Sequence, residues 1–332
     1  NVGQTSNKGI EIALQGVLVK TRDWNVTAGF NINFNRGKVD KLADNVTGLY
    51  GTEWATSSTF PKSDYVLKEG HPVGLVRGLT ADGFYTTDDF TYENGVYTLK
   101  EGVADVSSAV FPNYHLHNGI NERPAGQLAY PGMAKFKDLN DDGIINDDDV
   151  DVIGDMTPVH TGGFNINATY KNFDLGLYFN WSYGNEIYNV NKLAALYGYK
   201  EGAVYENKLS IVKDCYKIYD VVNGELVALT TPEQLNAANA NAKLPLAYSE
   251  NGYVSTLGIE DGSYLRLNTL TLGYTLPKNI LQKAGISNLR VYGSIYNVFT
   301  ITGYSGIDAE VSTSTSTKTY PQLGMDWGTY PR

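Results

Sequence analysis

Residues 163–184 constrain the fold more than any other stretch. Phe164, Ile166, Ala168 and Tyr170 alternate with Asn165, Asn167 and Thr169. After Lys171-Asn172, Phe173, Leu175, Leu177, Phe179 and Trp181 alternate with Asp174, Gly176, Tyr178, Asn180 and Ser182. A two-residue turn predicts the pairs Tyr170–Phe173, Ala168–Leu175, Ile166–Leu177 and Phe164–Phe179. All apolar residues then share one face of the hairpin and all polar ones share the other. Each arm has about ten residues, the length of a tilted strand that crosses a bilayer. Trp181 and Tyr183 near the ends fit an interfacial aromatic girdle. An amphipathic hairpin of a soluble sandwich has the same period.

Two further strand pairs follow the same rule. Ile10, Ile12, Leu14, Gly16 and Leu18 precede Thr21-Arg22-Asp23, and Val26, Ala28, Phe30, Ile32 and Phe34 follow it. A three-residue loop would pair Leu18 with Val26, Leu14 with Phe30 and Ile10 with Phe34. Leu270, Leu272, Tyr274 and Leu276 form the next alternating run, which Pro277 stops. Leu289 to Thr300 reads as its partner, with a less decided face. The expected strands are 8–20, 24–38, 163–172, 173–184, 263–276 and 287–300. Their turns are short or moderate, whereas 39–162, 185–262 and the segment from 301 are long. Soluble domains rarely carry such long connections; outer-membrane barrels place short turns on one side and long loops on the other. Within the second long segment, Thr231-Pro232-Glu233-Gln234 predicts a capped helix to about Ala242. Residues 205–219 suit a helix or a strand equally, and the Ser/Thr run at 312–319 suits a mobile loop tip.

No apolar run approaches the roughly 18 residues of a membrane helix, so a spanning chain must be a barrel. The net charge of −10 argues against nucleic acid as a partner and against simple docking on anionic lipid. Cys215 is the single cysteine, and no nucleophile motif surrounds it.

The segments SNKGIEIAL, WNVTAGFNINFNRGKVDKL, EGHPVGLVRG, DGFYTTDDF, PGMAKFKDLNDDGIINDDDVDVIGDMTP, GGFNINATYKNFDLGLYFNWSYG, DGSYLRLNTLTLGYTLPKNIL and LRVYGSIYNVFTITGYSGIDAEV occur in order. Together they resemble the C-terminal barrel region of SusC/RagA-like TonB-dependent outer-membrane transporters of Gram-negative bacteria. The resemblance covers nearly all of residues 1–332. It implies an all-β fold: about six antiparallel strands of a 22-stranded transmembrane barrel. Residues 39–162, 185–262 and 301–332 would be extracellular loops. It further implies an importer of oligosaccharides or oligopeptides, not an enzyme, with a SusD-like lipoprotein as lid, lipid around its wall and TonB as energy donor. The plug, the TonB-contacting N-terminal segment, the early strands and the last strand of that family have no counterpart here. Six strands do not close such a barrel, so the expectation is a portion of a longer protein. Strand parity agrees with the family if neither long loop crosses the membrane. The alternative reading is a secreted, calcium-stiffened β-sandwich that binds carbohydrate; a surface glycosidase is a third.

The sharpest local motif is Asp138, Asn140, Asp142, Gly143, Ile144, Asn146 and Asp149. Oxygen donors at positions 1, 3 and 5, glycine at 6, a carbonyl from Ile144 and a carboxylate at 12 make an EF-hand-type calcium loop, with Ile145 turned into a local core. The same residues also suit a cluster of Asx turns. Ca2+ is the only cofactor expected. His115 and His117 could share one side of an extended strand, but no third ligand lies near; His71 and His160 read as loop residues. The acid pairs Asp88-Asp89 and Glu260-Asp261 carry no readable glycosidase geometry. Trp54, Tyr85, Tyr304 and Trp327 are the loop aromatics that could stack on a sugar or grip a peptide, or simply pack.

Overall fold

A computed structural model describes residues 3–52, 54–56, 59–111, 122–196, 209–247, 252–282, 285–311 and 323–327. Its frame is one six-stranded antiparallel sheet. The strands are β1 (Gly3–Lys20), β2 (Trp24–Leu42), β3 (His160–Tyr170), β4 (Phe173–Tyr183), β5 (Tyr264–Thr275) and β6 (Arg290–Thr302). They pair strictly in sequence order, so each long connection returns to the end it left. The β3–β4 register is the expected one, Tyr170 opposite Phe173 through Phe164 opposite Phe179. Adjacent turns are tied together: the Lys171 amide donates to Asp23 O at 2.8 Å, and the Thr275 amide to Asn172 O at 2.8 Å.

The β1–β2 register departs from expectation at one point. Leu14 faces Phe30 and Ile10 faces Phe34, but Val19 rather than Leu18 faces Val26. A bulge at Leu18 absorbs one residue, a common device near strand ends. A second irregularity explains the undecided face of β6. The β5–β6 ladder slips between the pairs Leu267–Phe299 and Thr269–Tyr296, where Asn297 takes φ +50°, a conformation asparagine tolerates. The β4–β5 ladder slips at the same level. The slips keep Leu265, Leu267, Leu270 and Leu272 on one face although the strict two-residue period breaks between them.

That face is apolar, and among the described residues it carries no second protein layer. Ile10 is 66% exposed, Leu14 64% and Ile301 62%. The buried clusters lie among the loops. A soluble sandwich would bury this face against another sheet; none packs on it among the described residues. Aromatics mark both ends of the band. Trp24 lies against Tyr170 (centroids 4.5 Å) and Phe173 against Tyr274 (4.7 Å) at the turn end. His160 stacks on Tyr183 (5.0 Å) and meets Phe34 edge-on (5.5 Å) at the loop end. Trp24 and Phe34 stand ten residues apart on β2, about 33 Å along a strand. A tilt of roughly 40° projects this to about 25 Å, the height of a barrel's apolar band. Gly162 contributes by lacking a side chain: a Cβ there would sit 2.4 Å from the Trp181 ring, which lies across it and stacks on Phe30 at 5.5 Å.

The long connections fold on one another instead of forming open loops. In the first, the strands Val150–Asp155, Leu75–Leu79, Tyr65–Leu67 and Leu49–Gly51 build a four-stranded sheet in that order. The second contributes helix α1 (Val190–Leu196) and helix α2 (Pro232–Asn239). The α2 capping box forms as expected, although the helix ends before Ala240. Residues 205–208 fall outside the described set, a 3-10 turn spans Ser210–Asp214, and a strand starts at Tyr219. Phe60, Tyr85, Tyr97, Phe136 and Ile145 of the first connection share a core with Tyr216, Leu235 and Tyr253 of the second. Short parallel pairs seal the assembly: Thr59–Phe60 with Gly252–Tyr253, and Tyr188–Asn189 with Met325–Asp326.

Candidate functional site

The face of the sheet opposite the apolar band is polar, and on β3–β6 several of its side chains bond to one another. Asn167 Nδ2 donates to Asn165 Oδ1 at 3.1 Å, and the Tyr178 hydroxyl donates to Asn167 Oδ1 at 3.2 Å. Thr271 and Ser294 hydroxyls meet at 2.9 Å. One charge pair crosses it: Arg290 Nε donates to Asp174 Oδ1 at 2.9 Å, across Gly273, where any Cβ would strike the Asp174 carboxylate. Tyr178, Tyr292 and Tyr296 stand exposed on this face. It is thus a largely uncharged wall of amides, hydroxyls and tyrosine rings.

At the loop end, Arg266 anchors the segment that follows β6. Its guanidinium is buried and bonds Thr300 Oγ1 at 3.0 Å, Glu310 Oε2 at 2.9 Å and the buried Asp308 carboxylate. Glu260 forms a second anchor. It accepts from the Ser305 amide and hydroxyl, both at 2.9 Å, from Asn189 at 3.2 Å and from Lys192 at 3.1 Å. Burial pushes the Glu260 carboxyl up, but the two Ser305 hydrogen bonds and the Lys192 charge together outweigh it and hold it below its usual value. The Tyr304 hydroxyl donates to Asp326 Oδ2 at 2.5 Å; burial first, then this carboxylate, push the phenol well up. Beside these anchors lies a cavity of about 570 Å³ lined in part by Lys192, Ile211 and Ile307.

In the 138–149 loop the side chains bond to the loop's own backbone. Asp138 Oδ2 accepts from the Gly143 amide (2.7 Å), Asn140 Oδ1 from Asp142 (3.1 Å) and Asp142 Oδ1 from Ile144 (2.9 Å). Gly143 sits at φ +85°, the sharp turn glycine permits. Asn146 Oδ1 accepts from the Asp148 amide (2.7 Å). Asp149 is fully buried, and each oxygen takes one amide: Leu139 at 2.7 Å and Asn146 at 2.8 Å. Ile145 is buried in the large loop core, while Ile144 is exposed. Among the described residues no three His, Cys, Asp or Glu converge as a metal site.

The four loop aromatics part company. Tyr85 is fully buried, its hydroxyl bonded to Ala104 O at 2.6 Å, and Tyr304 is buried against Ile187. Trp54 packs on Tyr188 at 6.4 Å. Only Trp327 of the four is exposed. Packing in the loop cores claims the other three rings; for Trp54 and Tyr304 the partners Tyr188 and Ile187 lie over a hundred residues away, which hides that use in the sequence. Sequence reasoning missed Arg266 and weighed Glu260 only as half of an acid pair, not as an anchor; a lone arginine in an otherwise apolar and hydroxyl-rich strand was the available signal. His160 belongs to the girdle rather than a loop, and His71 is exposed. His115 and His117 lie outside the described residues, as does 312–319. Asp89 pairs with Lys135 at 2.7 Å, and Glu260 is committed to its anchor. Cys215 is buried, and burial with nearby Asp214 pushes its thiol up to about 11, which disfavours the thiolate.

A single sheet with an uncovered apolar band, two aromatic girdles, a polar opposite face and short turns at one end is part of an antiparallel transmembrane β-barrel. No described helix is long and apolar enough to cross a membrane. The whole chain is similar in sequence to TonB-dependent receptors, SusC among them, in line with the resemblance of the ordered segments. It is 29% identical over 336 residues to TonB-dependent receptor P3 of Formosa agariphila, covering 100% of the chain and 28% of that protein. It is 22% identical over 328 residues to TonB-dependent receptor SusC of Bacteroides thetaiotaomicron, covering 97% and 26%. The RagAB peptide importer in its closed–closed state shares the fold, with a TM-score of 0.64 and 20% identity over 100% of the chain and 28% of that one. A second RagAB peptide transporter structure gives a TM-score of 0.61 at 22% identity, over 93% and 27%. No family model matches. The chain spans about a quarter of the length of these relatives. All are named receptors, importers or transporters.

Proposed function

We propose that this chain forms wall and loops of a TonB-dependent importer in the outer membrane of a Gram-negative bacterium. The cargo is an oligosaccharide or an oligopeptide, and a SusD-like surface lipoprotein closes over the loops. The observation that carries the reading is the inside-out sheet, apolar where it faces away from the loops' cores and hydroxyl-, amide- and tyrosine-rich on the other face. Such a polar, nearly uncharged face offers hydrogen bonds and ring contacts to a hydrated solute without trapping it electrostatically. Residues 43–159, 184–263 and 303–332 are then extracellular, because the strand ends they join all lie opposite the short turns. TonB would act through segments outside this chain. The test is uptake by cells carrying the full-length gene, with and without TonB, against panels of labelled glycans and peptides. Uptake that ignores TonB would sink the proposal, as would a full-length protein that is monodisperse in aqueous buffer without detergent.

The 138–149 loop would take Ca2+ through Asp138, Asn140, Asp142, Ile144, Asn146 and Asp149, stiffening a turn that the backbone amides already hold. Isothermal titration of the intact transporter with calcium should give heat that Asp142→Ala abolishes. Absent heat, or heat unchanged by that variant, removes calcium from the account.

A further inference from the structure

We infer that the outward face of the wall, just above its loop-end girdle, binds the phosphate of an outer-leaflet lipid through Lys8 and Arg36. On the apolar band Ile10 faces Phe34, and the next outward pairs toward the loops are Lys8–Arg36 and Ser6–Lys38. Alternate residues of a strand share a face, so Lys8 and Arg36 continue the row of Ile10 and Phe34. Both are exposed. Val39, one position off that row, is buried, in keeping with the opposite face. Phe34 belongs to the girdle, edge-on to His160. Arg36 is two residues further along β2, about 7 Å of strand and about 5 Å of height at a tilt of roughly 40°. The headgroup layer is about 5–7 Å deep on each side of a bilayer, so the Lys8–Arg36 pair stands within it.

The pair is set for an anion. Like charges directly opposite each other in a ladder repel. Among the described residues neither Lys8 nor Arg36 forms an ion pair, whereas Lys38 has Asp40 at 4.0 Å and Lys41 has Asp44 at 3.0 Å. The Arg36 guanidinium is also fixed in place. Its Nη1 donates to Pro158 O at 2.7 Å and to Asn35 O at 3.1 Å. Both bonds use one nitrogen, which leaves the Nε–Nη2 edge for bidentate contact with a phosphate. The surroundings say that this phosphate belongs to a lipid. Directly below the pair, Ile10 is 66% and Phe34 38% exposed, so one molecule can set acyl chains on the band and its phosphate on the pair. Cargo passes on the other face of the sheet. The chain as a whole carries −10, so the attraction is local to this pair. A preceding strand of the full-length barrel would pair along the edge of β1. Paired strands lie side by side at about 4.8 Å, so it would flank this face and not cover it; Arg36, on the interior strand β2, already has a neighbour on each side.

The inference rests on the proposed membrane reading, with the apolar band facing lipid and the loop end extracellular. The test uses the delipidated full-length transporter in detergent, followed by native mass spectrometry. The probe is lipid A, an acylated disaccharide that carries phosphate, compared with the same lipid after its phosphate is removed. The phosphorylated form should bind at least about tenfold tighter, the scale of one charge-assisted contact. The Lys8→Gln/Arg36→Gln double variant should bind both forms equally, and Lys41→Gln should keep the preference. Inorganic phosphate at millimolar concentration should displace little of the lipid, because it lacks the acyl contacts. Equal binding of the two lipids by the unmodified protein overturns the proposal, as does an undiminished preference in the double variant. Full displacement by inorganic phosphate would reduce the site to a free-anion site and overturn the lipid assignment. Lys8→Gln removes a repulsion, so the urea midpoint of the lipid-free protein should hold or rise; a lowered midpoint would mean that the protein itself already uses the charge. A transporter that stays monodisperse without detergent would refute the lipid-facing band, a separate failure.

Discussion

Lysine placed at three positions of β3 tests the two faces of the wall on one strand. Ile166 points to the apolar side, opposite Leu177 and Ala28. It lies four residues from the Tyr170 girdle and six from His160. At about 3.3 Å per residue these are roughly 13 and 20 Å along the strand. With a tilt of about 40° they become about 10 and 15 Å of depth, so Ile166 is close to the middle of the band. Ile166→Lys should therefore cost about 2–4 kcal/mol in a bilayer, and a 3 kcal/mol loss is a factor of roughly 150 in the folding equilibrium. Tyr170→Lys, at the girdle, should cost about 0–1 kcal/mol in side-chain transfer, plus the lost stacking on Trp24. Asn167→Lys, one residue from Ile166 but on the polar face, should cost about 1 kcal/mol, the value of its hydrogen bond from Tyr178. The assay is urea unfolding of the full-length transporter in lipid vesicles, followed by tryptophan fluorescence and by heat-modifiable electrophoretic mobility. Equal penalties at 166 and 167 would refute the facing. Equal penalties at 166 and 170 would refute the depth assignment even if the facing held.

Other outcomes follow from the loop anchors. Asp149→Ala leaves the Leu139 and Asn146 amides without their acceptor and should cost about 2–4 kcal/mol locally, read as faster hydrogen exchange across 138–149. Arg266→Ala removes the guanidinium from the buried Asp308 carboxylate and should cost about 3–5 kcal/mol; adding Asp308→Leu should restore part of the loss, with exchange at 303–311 as the measure. The Glu260 carboxyl is held below its unfolded value of 4.5. A depressed acid contributes stability that is complete above about 4.5 and disappears as pH falls through the lowered folded value. The segment after β6 should thus stay protected from protease at neutral pH and loosen only in stronger acid, and Glu260→Gln should flatten that dependence.

The wall was legible because strand facing has a local cause. Side chains alternate across a pleated backbone, and a two-residue turn sets one register. Residues 163–184 therefore announced their pairs, and β1–β2 did so except where the Leu18 bulge consumed a residue. The capping residues around Thr231 announced α2 for the same local reason. The Asx-rich pattern at 138–149 announced a tight loop with Ile145 inward, although its spacing serves a cation and a backbone amide alike.

Tertiary structure alone decided the rest. Amphipathic period two is shared by a lipid-facing wall and a sandwich sheet, and only the absence of a covering layer among the described residues separates them. The loop aromatics could not be assigned from sequence, because the packing of Tyr85 and Tyr304 depends on segments brought together by long closures. Arg266 became an anchor only when Asp308, forty-two residues on, folded back over it. Period and turn length are properties of neighbours along the chain, whereas burial is a property of neighbours in space.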